Sequence, residues 1–331
     1  ALQMLGRRNP AHPHRKPGRE HAQVKPPARE QAYASRDTQY LHDPHHCPFH
    51  EGEGQDRQFW MNDNKTGEEG APPPGIPAAT LVVFRHRASG PPELLVVERS
   101  ASMAFAGGAI VFPGGRIDPD DHAIAASYPI DPTEGAARIA AIRETLEESA
   151  IAIGFTTQLT RDWIAKAQKR LHAREPFSAL LAEAGLTLDL DALVPFARWC
   201  PPFREARVFD TRFYVAHAPD DTPDPTVDET ENTSSFWSSA QDVLDAADTG
   251  KVKIIFPTRR NLERLAQFAD FAAAKAQAES IPVQLIGPWV EERDGAKHLC
   301  IPEGLGYPVT SEPMSSAERA IRIPGEDAPQ R

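Results

Sequence analysis

Paired cysteines, long apolar runs and an excess of basic charge are all missing from this sequence of 331 residues. The three cysteines, Cys47, Cys200 and Cys300, are an odd number without a short-spaced pair. That excludes a disulfide framework and a four-cysteine zinc site, and it points to a reducing, cytoplasmic location. No stretch approaches the roughly 18 apolar residues of a membrane-spanning helix, and no basic segment runs into an apolar block near the start, so neither a span nor a secretory signal is expected. The formal net charge of −11 argues against a general nucleic-acid binder, because neutralising phosphates needs a basic face. A phosphate-bearing ligand must then be attracted by something other than net charge. With 40% hydrophobic and 25% charged residues, the chain can still bury one large core or two small ones.

The first 60 residues carry seven of the 12 histidines, many prolines and little aliphatic periodicity. Such a segment buries too little apolar surface to offset its chain entropy. Residues 1–75 are therefore expected to be a disordered or non-native lead-in, with Met61 as the natural start. The cluster His42, His45, His46, Cys47 and His50 reads as part of that solvated tail rather than as an ordered metal site, since polar surroundings promise no supporting shell. Strand-like runs follow at Ala79–Arg85, Glu93–Glu98, Arg207–Ala216 and Val283–Trp289. Helix-like runs cover Glu134–Ile153, Arg161–Ala173, Ala240–Ala246 and Arg259–Ala278. Strands without regular helix alternation predict an α+β fold, a mixed sheet packed by helices, over residues 76–309, with a helical insertion at about 158–190. Residues 310–331, with Pro313, Pro324 and Pro329, read as a C-terminal tail.

Two segments carry the chemistry, PheProGlyGly at Phe112–Gly115 and ArgGluThrLeuGluGluSerAla at Arg143–Ala150. Ile139, Ile142, Leu146 and Ile151 recur at helical spacing and form a core-facing stripe. Off that stripe, Glu144, Glu147 and Glu148 stand at i, i+3 and i+4, within a few ångströms of one another. Like charges that close repel unless cations occupy them, and hard divalent ions bridge carboxylates to phosphates. Arg143 can pair with Glu147 or orient its neighbour. Gly114 and Gly115 allow close backbone approach and can free a carbonyl for a metal.

Phe112–Gly115 followed by Arg143–Ala150 resembles the Nudix box, the signature of a family of mostly Mg²⁺- or Mn²⁺-dependent hydrolases built on a mixed sheet between helices. The resemblance implies that the Gly114 carbonyl with Glu144, Glu147 and Glu148 holds the metal, and that Arg143 orients a glutamate. The box is interrupted. Gly115 and Arg143 are 143 − 115 = 28 positions apart where the family usually has 14, which places an insertion of about 14 residues between them. The acid that usually lies eight positions before the arginine falls on Gly135 and is expected to be lost or shifted. Thr145 replaces an aliphatic residue, and Ala150 replaces a glycine at a place of close packing.

The interrupted box is similar to that of a Nudix branch containing a coenzyme A diphosphatase. It implies a nucleoside diphosphate-linked small molecule as partner; the acidic net charge and the lack of a long apolar run leave no nucleic acid and no membrane as the expectation, and homodimerisation is left open. The acidic loop at 228–237 offers Glu231, and after it Glu229, as a further metal-binding and catalytic acid. Arg99, Arg207 and Arg212 are the candidate substrate-binding cations. Two alternatives stand beside this reading: a non-catalytic nucleotide sensor of the same fold, and a pyrophosphatase acting on nucleotide sugars or dinucleotides.

Overall fold

The computed structural model describes residues 75–103, 106–201, 208–219, 221–227 and 232–314. Nearly all of the expected N-terminal segment, its histidine cluster and Met61 lie outside the described residues, as do Arg207, Glu229, Glu231 and residues 315–331.

The centre of the molecule is strand β1 (Ile76–Arg85), whose side chains alternate between two apolar environments. Ala79, Leu81 and Val83 face one buried cluster, while Val82 and Phe84 face the other. A strand buried on both sides must be covered by helices on both sides. β1 pairs antiparallel with β2 (Glu93–Arg99) and parallel with β6 (Phe209–His217). Beyond β2 come β3 (Ala109–Val111) and β8 (Lys253–Ile254), and beyond β6 come β5 (Val194–Trp199) and β9 (Leu285–Ile286). The short β4 (Gly114–Arg116) returns onto β1, and β7 (Asn232–Ser238) pairs with β2, completing a nine-stranded mixed sheet.

One face is covered by α1 (Pro119–Ala125), α2 (Pro132–Ser149), α3 (Arg161–His172) and α4 (Phe177–Ala184), the other by α5 (Ala240–Asp248), α6 (Phe256–Leu265) and α7 (Phe271–Ser280). The expected α+β fold is thus present, and the stretch at about 158–190 holds the two helices α3 and α4. A separate three-stranded sheet contains β10 (Trp289–Arg293), β11 (Ala296–Cys300) and β12 (Ser311–Pro313). Strand pairing therefore reaches into the stretch that prolines suggested was a tail. Among the described residues no helix is long and apolar enough to cross a membrane.

The run expected as one helix at Arg259–Ala278 is two helices, because Asp270 is extended and caps α7 by accepting the Ala273 N–H. α2 starts two residues earlier than its periodicity suggests, with Asp131 capping Glu134 N–H and Pro132 in the first turn. It ends at Ala150, whose φ of +56° lies in the left-handed region. The residue difference there concerns backbone conformation rather than close packing: a glycine would adopt this angle without strain. Ala150→Gly is expected to raise stability by about 0.5–1 kcal/mol in a denaturant titration with unchanged m-value; a loss of stability would contradict it.

Candidate active site

α2 presents its carboxylates to the strand that precedes it rather than to open solvent. β4 lies antiparallel to β1, with Thr80 opposite Gly114 and Ala79 opposite Gly115. A Cβ on Gly114 would stand 2.5 Å from the Ala79 carbonyl oxygen, so this glycine is required by the neighbouring strand. A Cβ on Gly115 would stand 2.5 Å from the Glu144 carboxyl carbon, so Glu144 packs directly on the glycine backbone. The Gly114 N–H donates to Glu148 Oε2 at 3.0 Å. Glu144 and Glu148, one helical turn apart, therefore both meet the glycine pair.

Glu147 and Glu148 are buried, unlike the side chains of an ordinary solvated helix face. Burial pushes the Glu148 carboxyl well above the usual carboxylate range. The Glu144 charge adds to the rise, and it is opposed by Arg99, the Gly114 N–H and a hydrogen bond from Asn232. Glu147 turns elsewhere: its Oε1 lies 3.6 Å from His172 Nδ1 and its Oε2 3.8 Å from Arg143 Nη1. Among the described residues no three His, Cys, Asp or Glu side chains converge as a ready-made metal-ligand group.

Arg143 is buried and holds the arrangement together. Nε and Nη2 donate to the two oxygens of Asp121 at 3.0 and 2.9 Å, Nη2 also to the Arg116 carbonyl at 2.9 Å, and Nη1 to Glu144 Oε1 at 2.7 Å. Burial works against its charge, but Glu144 and Asp121 hold the guanidinium more firmly protonated than usual. Burial raises the proton affinity of Asp121, and the Arg143 charge and hydrogen bonds oppose that rise. Asp121 is fully buried and lies on α1, inside the segment that interrupts the box. A carboxylate thus meets Arg143 from the interrupting segment, whereas the position expected for it holds Gly135. A side chain at position 135 would crowd that segment, since even a Cβ there would come within 3.0 Å of Ile130 and 3.2 Å of Ala125. The insertion packs against Gly135 and supplies the carboxylate from another direction.

The other departures are locally satisfied. Thr145 and Ser149 are fully buried, but their hydroxyls donate to the carbonyls of Ala141 and Thr145 one turn back. α3 braces the end of α2: the Gln168 amide donates to both the Glu147 and Thr226 carbonyls, at 3.1 and 2.9 Å. Thr226 N–H in turn donates to the Ser149 carbonyl at 2.9 Å.

Arg99 stands at the end of β2 with its charge facing Glu148. Arg212 is placed elsewhere, donating to the Thr133 carbonyl at 3.3 Å and facing Glu134 at 3.9 Å. These residues belong to the first turn of α2, about 15 Å or more along its axis from Glu144 and Glu148. Two residues in the network were not evident from sequence, Asp121 and Asn232. The pattern Asp118-Pro119-Asp120-Asp121 is a helix-start signal that could have flagged the first, and the Asp118 N–H indeed donates to Asp121 Oδ2 at 2.8 Å.

A family model described as the NUDT19 Nudix domain matches residues 124–265. The crystal structure of a Nudix hydrolase from Alicyclobacillus acidocaldarius is 30% identical, with a TM-score of 0.54, over 61% of this chain and 96% of that one. A putative nudix hydrolase 7 from Caenorhabditis elegans is 26% identical over 182 residues, 54% of this chain. An acyl-coenzyme A diphosphatase NUDT19 from Gallus gallus is 25% identical over 233 residues. The chain spans only 57% and 62% of the lengths of these two curated relatives.

Proposed function

Because the chain belongs to the Nudix hydrolase family, we propose that it hydrolyses a diphosphate linkage in a nucleoside diphosphate-linked small molecule, with Mg²⁺ or Mn²⁺ as cofactor. The observation that carries this reading is the contact of Glu144 and Glu148 with the glycine pair, one through the Gly115 backbone and one through the Gly114 N–H. Coenzyme A or an acyl-coenzyme A, giving 3′,5′-ADP and (acyl-)phosphopantetheine, is the substrate favoured by the name of the Gallus gallus relative.

The donor set fits a hard divalent cation. The Glu148 carboxylate, whose ionisation burial and the Glu144 charge both disfavour, gains from a positive charge, and the acceptor Asn232 Oδ1 is buried and unpartnered. Glu144 and Glu148 would hold the ion, together with the Gly114 carbonyl, Glu147 and Glu231 as further oxygen donors. When bound, it supplies charge neutralisation for the diphosphate and acidification of water. The chain's own residues do the rest. Arg143, locked by Asp121, orients Glu144. Glu144 takes the proton of the attacking water. Arg99 is assigned to a phosphate oxygen. Arg207 is assigned to the outer part of the substrate, and Arg212, engaged at the far end of α2, is left out of the site.

The test is a panel of coenzyme A, an acyl-coenzyme A, a nucleotide sugar, NADH and a dinucleoside polyphosphate, each with Mg²⁺, Mn²⁺ or EDTA, with products read by mass. Metal-dependent release of 3′,5′-ADP supports the coenzyme A reading. Cleavage of another member keeps the chemistry and changes the substrate, and inertness toward all of them favours a sensor.

A further inference from the structure

Two buried polar atoms beside Glu148 lack partners, and they are of opposite kinds. β7 enters the sheet at Asn232, which stands across from Arg99 where the β2–β7 ladder shifts register between Glu98 and Arg99. Asn232 is 3% exposed. Its side chain hydrogen-bonds Glu148, and because a carboxylate accepts, the amide nitrogen faces the glutamate. That orientation leaves Asn232 Oδ1, an acceptor, buried with no hydrogen-bond partner, and Arg99 Nε, a donor, is also buried without one. Folded interiors seldom keep an orphaned buried polar atom unless an ion, a ligand or a water completes it.

The surroundings discriminate between these completions. Oδ1 shares its carbon with the nitrogen that meets Glu148, a carboxylate that itself lies within the field of Glu144. A neutral carboxamide oxygen beside two carboxylates is the kind of mixed oxygen set that hard divalent cations take. The Arg99 donor on the opposite strand matches an anionic oxygen instead. A cation on one side and an anionic oxygen on the other describe a metal-bound phosphate.

We propose that Asn232 Oδ1 is a ligand of the divalent cation held by Glu144 and Glu148, so that β7 contributes an amide rather than only a loop acid to the metal site. This rests on the metal-dependent reading above. The test is Mn²⁺ binding to the full chain without substrate, followed by electron paramagnetic resonance and calorimetry, for wild type, Asn232→Ala and Asn232→Asp. Asn232→Ala is expected to weaken Mn²⁺ binding about tenfold or more, the scale of losing a group at a metal site. Asn232→Asp, which keeps an oxygen in place, is expected to match or exceed wild-type affinity. Thermal melts in EDTA check that each variant is folded, and if Asn232→Ala is not, the Asp variant alone decides: weaker Mn²⁺ binding overturns the proposal. Mn²⁺ affinity for folded Asn232→Ala within twofold of wild type also overturns it, the orphaned oxygen then being completed by water. In that case the broader metal reading stands, whereas absence of Mn²⁺ binding by wild type would remove both.

Discussion

Glu148→Gln is expected to lose about three orders of magnitude in turnover and yet to melt at a higher temperature than wild type when metal is removed. The first effect follows from loss of a carboxylate at the glycine pair that we propose holds the metal. The second follows from electrostatics. Burial and the neighbouring Glu144 push the Glu148 proton affinity up to about 8, against 4.5 in an unfolded chain. The native state therefore binds the proton more tightly than the unfolded state. The resulting stability is complete below pH 4.5 and is lost as pH rises through 8. Glutamine carries no such dependence and still accepts the Gly114 N–H. Melts in EDTA should show a gap that is small near pH 5 and about 5 °C or more at pH 8, with the variant above wild type. Mn²⁺ should reverse the order, because only wild type keeps the full carboxylate set. A variant that is active, or less stable than wild type across this range in EDTA, would contradict the assignment.

Asp121→Ala is expected to be the most damaging single change outside the glutamates. It leaves Arg143 buried with one of its two carboxylate hydrogen-bond partners gone, and breaking such a pair from one side costs about 3–5 kcal/mol. For a domain of this size that is roughly a 10 °C drop in melting temperature. Turnover should fall as well, since the same guanidinium places Glu144. The double variant Asp121→Ala/Arg143→Met should be destabilised by less than the sum of the two single changes, because it leaves no orphaned charge. Additive losses, or an Asp121→Ala protein within 1 kcal/mol of wild type in chemical denaturation, would show that Asp121 is not the partner that locks Arg143.

These two residues also mark how far the sequence could be read. Glu148 was legible because helical spacing alone sets it beside Glu144 and off the stripe of Ile139, Ile142 and Leu146, all three of which are buried in one core cluster. What periodicity could not convey is that Glu147 and Glu148 are buried too, since that depends on β4 and α3 closing over the helix. Asp121 was missed because counting back from Arg143 reaches Gly135, and only the packing of α1 on that glycine shows why the acid comes from the insertion. Asn232 was hidden for another reason. It opens the run Asn-Thr-Ser-Ser-Phe-Trp, whose polar residues give almost no strand alternation, and the loop reading drew attention to Glu231. Its meeting with Glu148 is set by pairing with β2, more than 130 positions away in the chain. The separation of Arg212 from the glutamates is likewise a matter of tertiary register, invisible in the run Phe-Asp-Thr-Arg.

The central claim is that Glu144 and Glu148, held against Gly114 and Gly115, direct water onto a diphosphate. The most direct measurement is hydrolysis by wild type and by Glu148→Gln in ¹⁸O-water with Mn²⁺ or EDTA, using the best substrate of the panel. The account predicts one ¹⁸O atom per turnover in a single phosphoryl product, only with metal and only with wild type. Turnover that survives EDTA, or that Glu148→Gln sustains at the wild-type rate, would contradict it.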